Sequence, residues 1–302
     1  MPSPHRSDRP SEPPAEPPLL SLTVPQLAYL VAVADHETFA EAAASLGVTT
    51  SALSQGLAEL ERRCGVDLFE RVGRRQVLRD DAAEVLAHAR RVVTDTRDLA
   101  RMLADRHAGR AGRLRVGMID AAAVTHLPDR LRAFRTSAPD VDLHLVVAPS
   151  GPLLEQVRRG DLDLAVVVAP EEEEGLEVEP LLTESIVVVA PEGAAIGPPS
   201  SWGPWVLFPR GSHTRALVEA ELVRRGAPVE VEAESHQPEV LREMARLGMG
   251  WTALPEAQAG VLTTREVLTR RHLVAVRRRD RVPVPAADRL LAHLRSDPDH
   301  QD

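Results

Sequence analysis

Four hydroxyl side chains crowd the start of "VTTSALSQGLAELERRCG", residues 48–65: Thr49, Thr50, Ser51 and Ser54, with Gln55 beside them. Leu53, Leu57, Leu60 and Cys64 recur among them at helical intervals, so one face is apolar and the other carries only small polar groups. Short hydroxyls let a helix approach a surface closely. A glutamine amide both donates and accepts, as pairing with an adenine edge in the major groove requires. A polar, solvated helix face is the competing reading of this stretch alone. Further on, "FERVGRRQVL" reads as a two-stranded hairpin with Arg71, Arg74 and Arg75 about its tip. Arginines there neutralise backbone phosphates, which supplies affinity and register but no sequence information. "GSHTRA" sets Ser212 and His213 side by side, pointing in diverging directions rather than into a relay. No Ser/His/Asp spacing, metal-ligand cluster or glycine-rich phosphate loop accompanies them, so no enzyme chemistry, cofactor or metal site is expected.

These residues need elements to position them. At 302 residues the chain has room for two or three domains with substantial cores. A net charge of -9 argues against nonspecific coating of nucleic acid over the whole surface, while leaving room for a local basic patch. Every basic residue other than histidine is arginine. The single cysteine, Cys64, rules out an intramolecular disulfide and continues the leucine row as a small core residue. No apolar run approaches the roughly 18 residues of a membrane span, and the Pro-rich start lacks the apolar segment of a secretory signal. Residues 1–19 and 294–302 read as disordered tails, and a cytoplasmic location without a membrane partner is expected.

"TVPQLAYLVAVADH" places Leu27, Leu30, Val31 and Ala34 at helical spacing, with Thr23 as N-cap and Pro25 in the first turn. "ETFAEAAASLG" is a second helix burying Phe39, Ala42, Ala43 and Leu46, stopped by Gly47. Thr49 or Thr50 then caps the hydroxyl-bearing helix. Two helices joined by a tight glycine-containing turn form a helix-turn-helix. After the hairpin, Asp80 is expected to cap a long helix whose Val85, Leu86, Val92, Val93, Leu99, Met102 and Leu103 make an apolar stripe suited to a coiled-coil-like dimer contact.

"LAYLVAVADHETFAEAAASLGVTTSALSQGLAELERRCGVDLFERVGRR" resembles, without a gap, the winged helix-turn-helix of LysR-type transcriptional regulators. Three positions depart from the family pattern. Thr50-Ser51 stand where Gln-Pro is frequent, Gln55 where Arg is frequent, and Arg79 where a Thr often opens the linker helix. Two of these departures face the groove, so no base preference carries over. The resemblance implies promoter DNA bound by Thr49, Thr50, Ser51, Ser54, Gln55, Arg71, Arg74 and Arg75. It implies a homodimer or homotetramer as the bound form, and leaves room for contact with RNA polymerase.

Past Gly112 the pattern changes to strands alternating with helices: "RLRVGM", the helix "VTHLPDRLRAFRTSAP", "VDLHLVV", "PLLEQVRRG" and "LDLAVVV". This implies parallel βαβ units. A second run holds "SIVVVA", "WVLFP", "TRALVEAELVRRG", "VEVEA", "QPEVLREMARLG" and "GWTALPE", before "HLVAV" and "PAADRLLAHLR". Residues 113–293 resemble the family's effector domain, with the two-lobed fold of periplasmic binding proteins. The chain is thus expected to be an α+β multidomain protein: an all-α winged helix-turn-helix at 20–80, a linker helix at 81–110, and a two-lobed α/β effector domain at 111–293. One lobe is expected at 113–168 plus 262–293, the other at 169–261. Such folds bind small molecules beyond strand ends, where helix N-termini offer free N–H groups. The candidates for holding an effector are Asp120, Ala121, Thr125, Ser150, Gly151, Val168, Phe208, Ser212, His213, Thr214 and His236, each of which also reads as a cap or turn. Asp120, followed by three alanines, disfavours an anion there and suits a ligand with a donor or a positive charge. A transport-type binding protein is the main alternative, and residues 22–110 together with the lack of a signal peptide argue against it.

Overall fold

The computed structural model describes residues 20–72, 75–107, 112–260, 265–281 and 283–295. Its packing divides into two units between Val93 and Thr94. Of the tails expected at 1–19 and 294–302, residues 1–19 and 296–302 lie outside the described residues, as does Arg74, whereas Leu294 and Arg295 end the last helix, with Leu294 buried.

The first unit opens with α1 (Val24–Asp35), α2 (Phe39–Ser45) and α3 (Thr50–Cys64). Reciprocal capping boxes start the first two, Thr23 with Gln26 and Thr38 with Glu41, and each pairing satisfies two otherwise orphaned donors. Gly47 turns the chain at φ 66°, and the hydroxyl of Thr49, not Thr50, caps α3 by accepting from the Ala52 N–H at 3.1 Å. Leu30, Leu53, Leu60 and Leu68 are fully buried in one core with Leu27, Leu57, Ala42 and Ala43. Each buried leucine contributes about 1.5–3 kcal/mol of transfer free energy. Cys64 is half-buried against this core, and burial pushes its thiol up from the ordinary value.

The hairpin follows, β1 (Phe69–Val72) antiparallel to β2 (Arg75–Leu78), so a two-stranded sheet joins the helices of this unit. The Glu61 carboxylate of α3 accepts from the Leu68 and Phe69 N–H groups at 2.8 and 3.2 Å, which fixes where the hairpin begins. Asp80 does not cap the next helix. It starts a 3-10 turn, Asp80–Ala82, and α4 (Ala83–His107) begins only after it. The apolar stripe of α4 is shared: Val93 is buried in the first core with Val85, Leu86 and Val92 against it, whereas Leu99, Met102 and Leu103 are exposed.

The second unit holds the end of α4 and then β3 (Leu114–Met118), α5 (Pro128–Ser137), β4 (Leu143–Val147), α6 (Ser150–Arg158) and β5 (Leu164–Val168). The parallel pairing of β3 with β4 and β5 meets the βαβ expectation. One helix over "VTHLPDRLRAFRTSAP" does not form. A π-helical turn, Ala121–His126, precedes α5, because Pro128 can open a helix but cannot continue one; Val124 is consequently exposed.

The chain continues through β6 (Leu176–Val189), β7 (Trp205–Leu207), α7 (His213–Arg224), β8 (Val231–Glu234), α8 (Pro238–Arg246), β9 (Thr252–Pro255), β10 (Arg265–Arg278) and α9 (Pro285–Arg295). The main sheet has the order β4-β3-β5-β10-β6-β9, and β7 pairs with β8 in a small sheet. "SIVVVA" and "HLVAV" are therefore pieces of two 14-residue antiparallel strands, β6 and β10. Both strands run through two cores. Leu176, Val178, Leu181 and Leu182 pack with the first-lobe core, and so do Leu273 to Val276. Ile186, Val188 and Leu268 pack with Trp202, Trp205 and Trp251 in the second. By these contacts the lobes divide within β6 and β10, near Thr183 and His272, rather than at 168/169 and 261/262. Polar residues at the crossing hide each strand's continuity in the sequence.

Candidate nucleic-acid interface and interlobe cleft

On α3 the buried leucines turn the opposite face outward: Thr49, Thr50, Ser51, Ser54 and Gln55 are all exposed, as is Ala58. Thr49 spends its acceptor on the cap and keeps a hydroxyl to donate. Arg71 and Arg75 lie on the hairpin, Arg71 opposite Gln76 and Arg75 opposite Val72, flanking the tip. Close behind α3, an added Cβ at Gly56 would lie 2.5 Å from the Tyr29 ring, so α1 and α3 approach there at a distance only glycine permits.

The expected effector residues spread around the junction of the two lobes. Asp120 is not free. Its Oδ2 accepts from the Gln258 side-chain amide at 2.6 Å, and Gln258, on the 3-10 turn after β9, is buried. Ala121 turns its methyl into the first-lobe core, and Thr125 is half-buried on the π-helical turn. Ser150 is buried and its hydroxyl accepts from the Val168 N–H at 3.1 Å, tying the start of α6 to the end of β5. Gly151 beside it faces open space. Phe208 is buried, with its carbonyl accepting from Arg215.

Ser212 caps α7 by accepting from the Arg215 N–H. His213 is half-buried, and its Nδ1 is enclosed without a partner among the described residues. Burial pushes its imidazole below the ordinary histidine value, opposed by Glu171 and reinforced by Arg158. His236 is exposed, and the turn before α8 is instead closed by Ser235, which accepts from the Gln237 N–H.

Of the residues that knit this region, the sequence singled out only Thr214. Glu184 on β6 and Arg271 on β10 are direct cross-strand partners, joined at 2.7 Å and both buried. The other Glu184 oxygen meets His126 Nε2 of the π-helical turn at 2.7 Å, and Arg271 donates to the hydroxyl of Thr214 at the start of α7. Burial alone would raise the Glu184 carboxyl; the His126 hydrogen bond and the Arg271 charge overcome it and hold the carboxyl below its ordinary value. Burial likewise draws the Arg271 guanidinium down, against the pull of Glu184. Eighty-seven residues separate Glu184 from Arg271, so no local pattern could have paired them.

A helix-turn-helix with a hydroxyl-rich recognition face, followed by a two-lobed α/β domain with polar groups at the lobe junction, defines a transcriptional regulator with its own effector-binding domain. Comparison with known proteins places it more narrowly. Residues 24–83 match the bacterial regulatory helix-turn-helix of the lysR family, and residues 107–298 match the LysR substrate binding domain. The chain belongs to the LysR family: it is a DNA-binding transcriptional regulator and not an enzyme.

Among its relatives is the uncharacterized regulator YfeR of Shigella flexneri, 26% identical over 90% of this chain and 92% of that one. The regulator IlvR of Caulobacter vibrioides is 30% identical over 78% and 82%. A probable hydrogen peroxide-inducible genes activator of Mycobacterium xenopi is 36% identical over 57% of this chain and 90% of its own. Full-length CbnR complexed with its target DNA shares the fold, with a TM-score of 0.55 at 20% identity over 91% of this chain and 99% of that one. Among the described residues no helix is long and apolar enough to cross a membrane.

Proposed function

We propose that the chain binds promoter DNA as a homo-oligomer in the cytoplasm, and that a small molecule held between its two lobes switches it. The carrying observation is the exposed face of α3, where Thr50, Ser51, Ser54 and Gln55 stand clear of bulk while Leu53, Leu57 and Leu60 anchor the helix. A helix so presented enters the major groove through its N-terminal half. Gln55 and the hydroxyls read base edges, and Arg71, Arg74 and Arg75 neutralise phosphates. The DNA complex of the fold neighbour CbnR supports this reading.

In the effector domain, the ligand lies among Asp120, Ser150, Gly151, Ser212, His213 and Thr214. Because Asp120 already accepts from Gln258, an effector there presents a donor or positive charge that competes with that amide. Peroxide-thiol chemistry is not open to this domain, since the chain's single cysteine is Cys64 of α3. The test is to select genomic fragments with the purified protein and sequence them. One enriched motif of paired half-sites, footprinted at a promoter, is the expected result. Recovery of fragments without a shared motif would return α3 to the solvated-face reading.

A further inference from the structure

The π-helical turn Ala121–His126 is held at both of its ends by distant segments of the chain. Asp120 stands at its N-cap position and makes no cap bond. An aspartate at a helix start ordinarily accepts from N–H groups of its own first turn. This one instead accepts from the side-chain amide of Gln258, 138 residues away. At the other end His126 meets Glu184, which is joined to Arg271 and through it to Thr214 of α7. Between the two ends Ala121 and Ala122 are buried, and the Leu127 N–H closes a wide ring on the Ala122 carbonyl at 2.9 Å. Turns bonded in this i to i+5 fashion are rare and concentrate at functional sites.

Gln258 is anchored in the second lobe and reaches out of it. It ends the 3-10 turn Glu256–Gln258 that follows β9, and its carbonyl accepts from Arg242 of α8 at 3.1 Å. Ala259 beside it is buried with Val187, Val189, Leu241 and Leu254. Gln258 itself is 8% exposed, and its amide lies 2.6 Å from Asp120 Oδ2. A buried amide needs an acceptor, and a carboxylate is a strong one. The contact does what a small ligand with an N–H donor would do. It fills the carboxylate of the first loop and ties that loop to the opposite lobe.

We propose that Gln258 is a tethered surrogate ligand, its carboxamide taking the position on Asp120 that a free amide or ammonium compound would take. The inference rests on the reading of Asp120 as an effector position. A free donor must displace a group whose tether gives it an effective concentration of about millimolar or more. Gln258 thereby sets how much effector the chain answers to. Asp120 in turn excludes carboxylates, which would face it as an unpaired like charge.

The test uses the full chain, hydrogen exchange over residues 121–127, and acetamide, which replaces the atoms that Gln258→Ala removes. Gln258→Ala should speed exchange there at least about tenfold, and acetamide at about 0.1 M should restore protection saturably. Acetate should do nothing, and the double variant Asp120→Ala with Gln258→Ala should not respond to acetamide. Gln258→Lys, which keeps a donor on Asp120, should stay protected, whereas Gln258→Leu should not; this pair reads the contact even where the alanine variant fails to fold. Parent-like protection in Gln258→Leu, no rescue by acetamide, rescue by acetate, or rescue without Asp120 would each overturn the proposal. No natural effector enters these measurements. The assignment of the effector to Asp120 fails separately, if Asp120→Ala still binds that effector fully.

Discussion

Gln55 and Glu184 show how differently one side chain can matter. Gln55 is exposed and contributes nothing to the core, so Gln55→Ala should leave stability unchanged. On the selected operator the same change should cost about 1–3 kcal/mol and relax one base position, read by a mobility-shift titration against operator variants. An unchanged motif and affinity would mean that another face of α3 meets the bases. Glu184 is the reverse case, a buried charge between His126 and Arg271. Its carboxyl sits below its ordinary value in the folded chain. The stabilisation is therefore present above the unfolded value and is lost as pH falls through the folded one. Glu184→Gln should cost about 3–5 kcal/mol near neutral pH, since Arg271 is left buried and unpaired, and should flatten the acid limb of the stability profile. Denaturant melts between neutral and acidic pH check both parts. A variant as acid-sensitive as the parent would show that other carboxyls govern that limb.

At the scale of elements, the recognition helix is held by what its buried side lacks as much as by what it packs. Gly56 faces the Tyr29 ring, where a Cβ would sit 2.5 Å away. Gly56→Ala favours the helix intrinsically, yet the overpacking forces α1 and α3 apart at a cost of about 1–3 kcal/mol. The expected outcome is a lower melting temperature and weaker binding to all DNA sequences alike, in contrast to the selective effect of Gln55→Ala. A melting temperature at or above the parent's would show that the ring yields freely. The hairpin is tied to the same helix, because Glu61 of α3 accepts from the N–H groups at its root. The two DNA-facing elements thus share one support.

For the whole molecule, the exposed end of the α4 stripe decides the prediction. Leu99, Met102 and Leu103 are 48%, 40% and 43% exposed, an unusual run of large apolar side chains on one helix. We expect them to form the contact between copies. Leu99→Glu should then shift the particle toward monomer in light scattering and, with one head per particle, weaken operator binding at least about tenfold. A variant of unchanged mass at about micromolar concentration would move the interface elsewhere, for instance to the exposed Val124, Leu145 and Val147 of the first lobe.

How much was legible in the sequence follows from the range of the forces involved. Helix spacing, Thr23 and one of Thr49 and Thr50 as caps, Gly47 as a stop and the alternation of strands with helices are local, acting over a few residues, and "ALSQGLAELERRCGVDLFERVGRR" carried the family likeness with them. The outward face of α3 could be read for the same reason, since its leucines sit at fixed spacing from its hydroxyls. Asp120 and the start of α7 could be marked as candidate ligand positions, but not what they touch. Gln258 lies 138 residues from Asp120, and Arg271 lies 87 from Glu184. Their pairing depends on β6 and β10 running as single strands through both lobes, and no local periodicity encodes that continuity. The lobe boundary is likewise a product of how distant segments close on one another. Tertiary packing alone decides which buried charges meet, as Glu184 meets Arg271.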